Sequence, residues 1–211
     1  MKRALIVVAM VWTGFARSKP AWGTRDPSDY RSELYQRLAR EVEGLNQAGH
    51  FAEAIALGER IERRVEASPW VQYEIGFAQN ALGNTDAALK LFNETIRVMP
   101  DYAPARYDRG EILLLRGMND EARIDFAVAA ELKPYHWAAF FRLAHLDARS
   151  GDKEAFEVHL TEAIRQGFDF RSILGDPDWR KWANDKQLGP VIARLITVYG
   201  DEALLDQLRQ E

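Results

Sequence analysis

From about Pro27 to the end, the apolar positions follow the spacing of helices that bury one stripe each. No stretch of period-two alternation is long enough for a strand. The pattern predicts paired helices. First members fall over 29–47, 69–82, 103–116 and 137–149, and second members over 51–66, 85–98, 119–132 and 153–166. Asn84, Asn119 and Asp152 stand where N-caps are expected. The tail, 168–211, changes rhythm. Asp176-Pro177 reads as an N-cap followed by proline at the first helical position, with Trp179 and Trp182 then on one face. A further helix covers about 189–199, carrying Val191, Ile192, Leu195, Ile196 and Tyr199. Gly200 ends it, and Asp201 caps a short last helix with Leu204, Leu205 and Leu208.

A strict period underlies the pairs. Glycine stands at 49, 83, 117 and 151, 34 residues apart each time. Other residues keep step: Gly76, Ala88, Phe92 and Pro100 match Gly110, Ala122, Phe126 and Pro134. Each has a physical job. The periodic glycine takes a left-handed conformation at little cost and ends the first helix. The small alanine lets two helices approach, the phenylalanine one turn on fills the space towards the next repeat, and the proline stops the second helix. These residues resemble the tetratricopeptide repeat, whose pattern is W-x2-L-G-x2-Y, then A-x3-F, then P. The resemblance is strong over 69–136. In the first repeat Gly49 and Ala54 keep step, but Gly58 replaces the aromatic and Pro69 falls late. In the fourth, Gly151 and Ala163 keep step, Phe156 takes the small position, Leu160 replaces the aromatic, and no proline follows. Terminal repeats are commonly atypical because one face lacks a neighbour.

The resemblance implies an all-α, right-handed α-solenoid of about four repeats (35–68, 69–102, 103–136 and 137–168) within a domain over 29–168. A helical cap over 169–211 covers the last apolar face. It also implies a concave groove lined by the first helices. Registration places Gln36, Ala39, Glu43 and Asn46 there from the first repeat, and Trp70, Tyr73, Phe77 and Asn80 from the second. Pro104, Tyr107, Glu111 and Leu114 follow from the third, and Ala138, Phe141, His145 and Ala148 from the fourth. Trp70, Tyr73, Phe77, Tyr107 and Phe141 would form an aromatic stripe of the kind that anchors interfaces. Core packing is the competing assignment, with the larger share for Phe77, and burial beneath the N-terminal segment is a third. Family members that clamp a terminal carboxylate use Lys, Asn and Arg at positions that here carry Ala39, Glu43, Glu74, Pro104 and Asp108. That basic clamp is missing.

Composition narrows the function. The 211 residues carry a net charge of −4 and no cysteine. There is no basic footprint for nucleic acid, and disulfides, cysteine nucleophiles and thiolate metal sites are excluded. His50, His136, His145 and His159 form no metal spacing and no tight cluster with carboxylates in sequence. Asp120 and Asp125 read as solvated helix residues. No nucleotide-binding or nucleophile-elbow motif occurs, so no catalytic residue, metal or cofactor is expected.

The N-terminus is different in kind. Lys2 and Arg3 precede an apolar run from Ala4 to Trp12, too short to span a bilayer but fitting the core of a secretory signal. The expectation is a signal peptide over 1–23, cleaved between about Ala16 and Thr24, then a linker over 24–28 and a periplasmic or secreted mature protein. An uncleaved anchor is the alternative. The functional expectation is a non-enzymatic module binding a protein or peptide in its aromatic-lined groove. The alternative is a structural subunit of an envelope assembly that uses its convex face or the cap tryptophans.

Overall fold

A computed structural model describes residues 27–64, 68–132 and 137–210. The expected signal peptide lies outside the described residues, as do Pro134 and His136. Among the described residues there are eleven α-helices, one short 3-10 helix and no strand. They are α1 (Pro27–Gln47), α2 (Phe51–Glu62), α3 (Pro69–Ala81), α4 (Thr85–Val98), α5 (Ala103–Leu115), α6 (Asn119–Leu132), α7 (Trp137–Ser150), α8 (Lys153–Arg165), α9 (Pro177–Ala183), α10 (Leu188–Tyr199) and α11 (Ala203–Gln210). The 3-10 turn is Phe170–Ile173. The periodicity places these ends to within about two residues, except that α2 stops at Glu62, short of the expected 66. The molecule is an all-α helical repeat. It forms two compact units, one through Ile112 and one from Leu113.

The periodic glycines have φ values of +77°, +84°, +76° and +77°. At each, the chain closes the same pair of hydrogen bonds. Around Gly83, its own N–H donates to the Asn80 carbonyl and the Asn84 N–H to the Gln79 carbonyl, both at 2.9 Å. This is the Schellman arrangement, which satisfies carbonyls left over at a helix end. A residue with a Cβ is strained there. The same pair recurs at Gly167, where Gly167 N–H bonds Ile164 and Phe168 N–H bonds Ala163. That glycine is outside the 34-residue period.

Helix contacts in the N-terminal unit explain the small residues. Ala54 and Ala88 are wholly buried, and so is Phe92. A Cβ on Gly76 would stand 2.8 Å from Phe92 Cε1, so the repeat's glycine and phenylalanine are two sides of one contact between α3 and α4. Gly58 stands where the pattern expects an aromatic, and a Cβ there would lie 2.5 Å from Ile75 Cγ1. The first repeat has exchanged a filling ring for a closer approach of α2 to α3. Around that contact Val42, Ala54, Ile61, Val71 and Ile75 form the core.

In the C-terminal unit, α7 to α11 gather one large core. Phe156, Leu160, Trp179, Ile192 and Ile196 are among its most buried members. Asp176 caps α9, accepting from the N–H of Asp178 and Trp179, and Asp201 accepts from Ala203 N–H as its position implies. The remaining cap expectations divide. Asp152 accepts from Ala155 N–H at 3.0 Å. Asn84 makes no cap bond, because its side-chain amide turns back to Gln79 Oε1 at 2.8 Å. Asn119 is already the first residue of α6, so it is not the cap either. Asp185, which the sequence did not single out, accepts from Leu188 and Gln187 N–H. Those bonds hold its carboxyl below the usual range.

Candidate interaction face

Within the N-terminal unit, α1, α3 and α5 bring groove positions from three successive repeats together. Asn46 on α1 donates from Nδ2 to the Glu74 carbonyl at 2.9 Å and to Glu74 Oε2 at 3.1 Å. Tyr73 on α3 donates from its hydroxyl to Asp108 Oδ2 on α5 at 2.8 Å. Glu74 and Asp108 are themselves 34 residues apart, so the second and third repeats place a carboxylate at the same position of this face. Glu43 joins them on α1, accepting from Gln47 Nε2 at 3.0 Å, and Glu111 stands one turn beyond Asp108. Burial pushes the Asp108 carboxyl up to about 7. The Tyr73 bond pulls it the other way, and the charges of Glu111 and Glu74 raise it further. Burial likewise pushes the Tyr73 phenol well above its ordinary value. Four carboxyl side chains, Glu43, Glu74, Asp108 and Glu111, thus stand on this side of α1, α3 and α5.

The aromatic residues of the expected stripe make the contacts of the competing assignment, core packing. Tyr73 is fully buried, with its ring 5.8 Å from Phe92 and edge-on to Tyr102 at 5.1 Å. It is a core residue whose hydroxyl must find an acceptor, and Asp108 supplies it. Phe77 is buried and lies 6.4 Å from Phe51. Trp70 packs, partly buried, against the core of α1 to α3. Tyr107 is also buried, whereas Asn80 and Glu111 keep part of their surface in solvent.

In the C-terminal unit, Leu114 is half-buried. Phe141 stacks on Phe168 at 4.8 Å and on Trp179 at 5.3 Å, so the tail covers it. His145 lies edge-on to Trp182 at 5.0 Å. Burial and the positive charge of Arg142 push its imidazole down to about 4. At neutral pH it is uncharged, and its 3.7 Å approach to Asp178 is a polar contact, not an ion pair. Trp179 and Trp182 are themselves buried within the chain, which removes them as the interface of the alternative expectation.

One cluster escaped the sequence reading. Asp147 on α7 is fully buried. It pairs with Arg123 on α6, and its Oδ2 lies 2.6 Å from His159 Nδ1 on α8. Three residues 24 and 12 apart on three helices leave no local signature. Asp125 is another correction: it is fully buried, not solvated. Among the described residues no group of three His, Asp or Glu side chains is arranged to hold a metal ion. No helix among them is long and apolar enough to cross a membrane.

No family model matches the sequence, and no curated protein matches it. The fold is similar to solved structures. A MamA chain, residue 41 to its end, from Desulfovibrio magneticus RS-1 shares 16% identity over 85% of this chain and 97% of that one, with a TM-score of 0.62. A MamA RS-1 double mutant shares 18% over 83% and 89%, with a TM-score of 0.54. TTC0263, a thermophilic tetratricopeptide protein of Thermus thermophilus, shares 17% over 84% and 93%, with a TM-score of 0.56. At these identities the likeness establishes the fold, which is of the tetratricopeptide type.

Proposed function

We propose that this chain is a protein-interaction module that holds a peptide or helix against the inner face of its N-terminal unit, by charge as well as by apolar contact. The observation that carries the reading is the acidic series on that face. Glu43, Glu74, Asp108 and Glu111 come from three consecutive repeats, tied by the Asn46–Glu74 and Tyr73–Asp108 bonds. A ligand ending in a free carboxylate would be repelled. A segment carrying lysine or arginine beside apolar residues would meet Glu111, which keeps part of its surface in solvent, through a charge-assisted hydrogen bond, with the buried carboxylates adding to the negative field behind it. No repeat residue is assigned to chemistry. The fold hosts many unrelated partners, so the ligand class rests on this face and not on the fold.

The test is fluorescence-anisotropy titration with two labelled peptide sets, one basic and apolar, the other acidic with a free C-terminus. Glu111 is partly exposed and is the place to intervene. Glu111→Lys should weaken the basic set about tenfold and leave the helical circular dichroism unchanged. Equal binding of both sets, with no effect of E111K, would overturn the reading. The second reading is a structural subunit that docks through its convex face or its C-terminal cap; burial of Trp179 and Trp182 weighs against the cap and leaves the convex face as its docking surface.

A further inference from the structure

The C-terminal unit holds a cavity of about 370 Å³ where the end of α8, the 3-10 turn, the end of α10 and the start of α11 meet. That volume lies at the small end of ligand pockets, which run from about 300 to 1,000 Å³. Phe168, Phe170 and Leu204 form the floor, and all three are buried in the core of the unit. Tyr199 stands at one side with 48% of its surface exposed. Asp169, Arg171 and Asp201 supply the charged part of the lining. An apolar floor beneath a few fixed polar groups is the make-up of a small-molecule site.

The charges are held in place and do not cancel. One oxygen of Asp169 accepts from the Arg171 N–H at 2.9 Å, and the other from the Arg171 guanidinium at 3.1 Å. That pair is neutral in itself. Asp201 accepts from the Ala203 N–H at 3.0 Å with one oxygen, and its second oxygen has no partner among the described residues. The end of α10 acts in the same sense. The Gly200 N–H closes on the Ile196 carbonyl at 2.8 Å. Among the described residues no donor reaches the carbonyls of Thr197, Val198 or Tyr199, and the last turn carries no basic side chain. A helix end of this kind carries about half a negative charge. An unbalanced carboxylate, a bare helix C-terminus and an exposed aromatic ring all favour a positive charge. The apolar floor favours a hydrocarbon body.

We propose that this cavity binds a small organic ammonium ion, with its charged head between Asp201 and the end of α10 and its apolar body over Phe168, Phe170 and Leu204. The Tyr199 ring lies beside the head as a cation–π partner. A neutral molecule of the same shape gains the floor but not the charge, and an anion meets Asp201. The Arg171 guanidinium, on a side chain 67% exposed, neutralises Asp169 and so limits the cavity to a single positive charge. The site belongs to the C-terminal unit alone and does not depend on peptide binding by the N-terminal unit.

The probe is phenethylammonium, titrated into the 15N-labelled full chain and followed by amide chemical shifts. Its neutral and anionic counterparts are 2-phenylethanol and 3-phenylpropionate. The ammonium should give saturable shifts at Phe170, Gly200 and Asp201. The alcohol should bind about tenfold more weakly, and the carboxylate should not saturate. Asp201→Asn keeps the cap of α11, because asparagine caps as well as aspartate does, and should weaken the ammonium about tenfold. Arg171→Gln leaves Asp169 unneutralised and should tighten binding about threefold, a gain that a merely structural role would not produce. Equal binding of ammonium and alcohol overturns the proposal. So does unaltered binding by Asp201→Asn, or binding no tighter with Arg171→Gln. Shifts confined to other parts of the chain, or none that saturate up to the solubility limit, overturn it as well.

Discussion

The Tyr73 hydroxyl donates to Asp108 Oδ2 at 2.8 Å, and both side chains are buried. A tyrosine from one repeat and an aspartate from the next thus satisfy each other where neither meets water. Tyr73→Phe keeps the ring packing against Phe92 and Tyr102 but removes the donor. The expected cost is roughly 1–3 kcal/mol in chemical denaturation, with a further upward movement of the Asp108 carboxyl. Unaltered stability would show that Asp108 has another donor of equal strength.

Asp108 also sets a pH dependence. Its folded-state pKa, about 7, lies above the ordinary 3.8. The groups facing it are Tyr73 and Glu74 on α3 and Glu111 on its own helix. Because the folded value is raised, the stabilising contribution is fully present below about pH 3.8 and is lost as pH rises through 7. Asp108→Asn keeps an acceptor for Tyr73 and cannot ionise. The variant should lack the decline in melting temperature between pH 4 and 7 and be the more stable protein at pH 8. Parallel pH profiles for the two proteins would refute this.

His145 has the opposite sign. Its imidazole is held at about 4, mainly by burial, with Arg142 and Arg149 lowering it further and Asp178 and Asp176 raising it. Stability from the neutral ring is present above about 6.5 and is lost as pH falls through 4. Because Trp182 lies edge-on to this ring, tryptophan fluorescence should report the acid transition. His145→Gln should reduce its pH dependence.

The two kinds of glycine should respond differently to alanine. At Gly76 the added methyl meets the Phe92 ring at 2.8 Å, and at Gly58 it meets Ile75 at 2.5 Å. Overpacking of this sort costs about 1–3 kcal/mol. At Gly83 nothing lies within 4 Å, but φ is +84°, so the cost is backbone strain of about 1–2 kcal/mol. A Gly83→Asn control, which tolerates that conformation better, should recover part of the loss. Gly76→Asn should be worse than Gly76→Ala.

Asp147 binds Arg123 and His159 from two neighbouring helices. Asp147→Ala should cost towards the lower end of the roughly 3–5 kcal/mol typical of a broken buried pair, since Arg123 keeps access to water. Arg123→Met should cost less, because His159 still satisfies the carboxylate. Denaturation midpoints of the two variants decide the order.

The period made the helix pairs, their glycine stops and the buried Ala88, Phe92, Ala122 and Phe126 legible, because one local geometry recurs at one spacing. Register also identified the helix side that carries Tyr73, Phe77 and Tyr107. It did not say what lies over that side, and their burial depends on atoms distant in sequence. Asn84 misled because a residue type that favours caps can bond elsewhere, here to Gln79. The Arg123–Asp147–His159 cluster had no local signal. Gly58 was visible as a departure from the pattern, but only its distance to Ile75 explains it.

The tail has a consequence for assembly. The side of α7 and α8 that would receive a further repeat is filled by Phe168, Trp179 and the helices behind them. A further repeat stacked directly on α7 and α8 would first have to displace that tail. The Gly167 turn, which sends the chain back across this side in place of the proline stop used at Pro100, terminates the array.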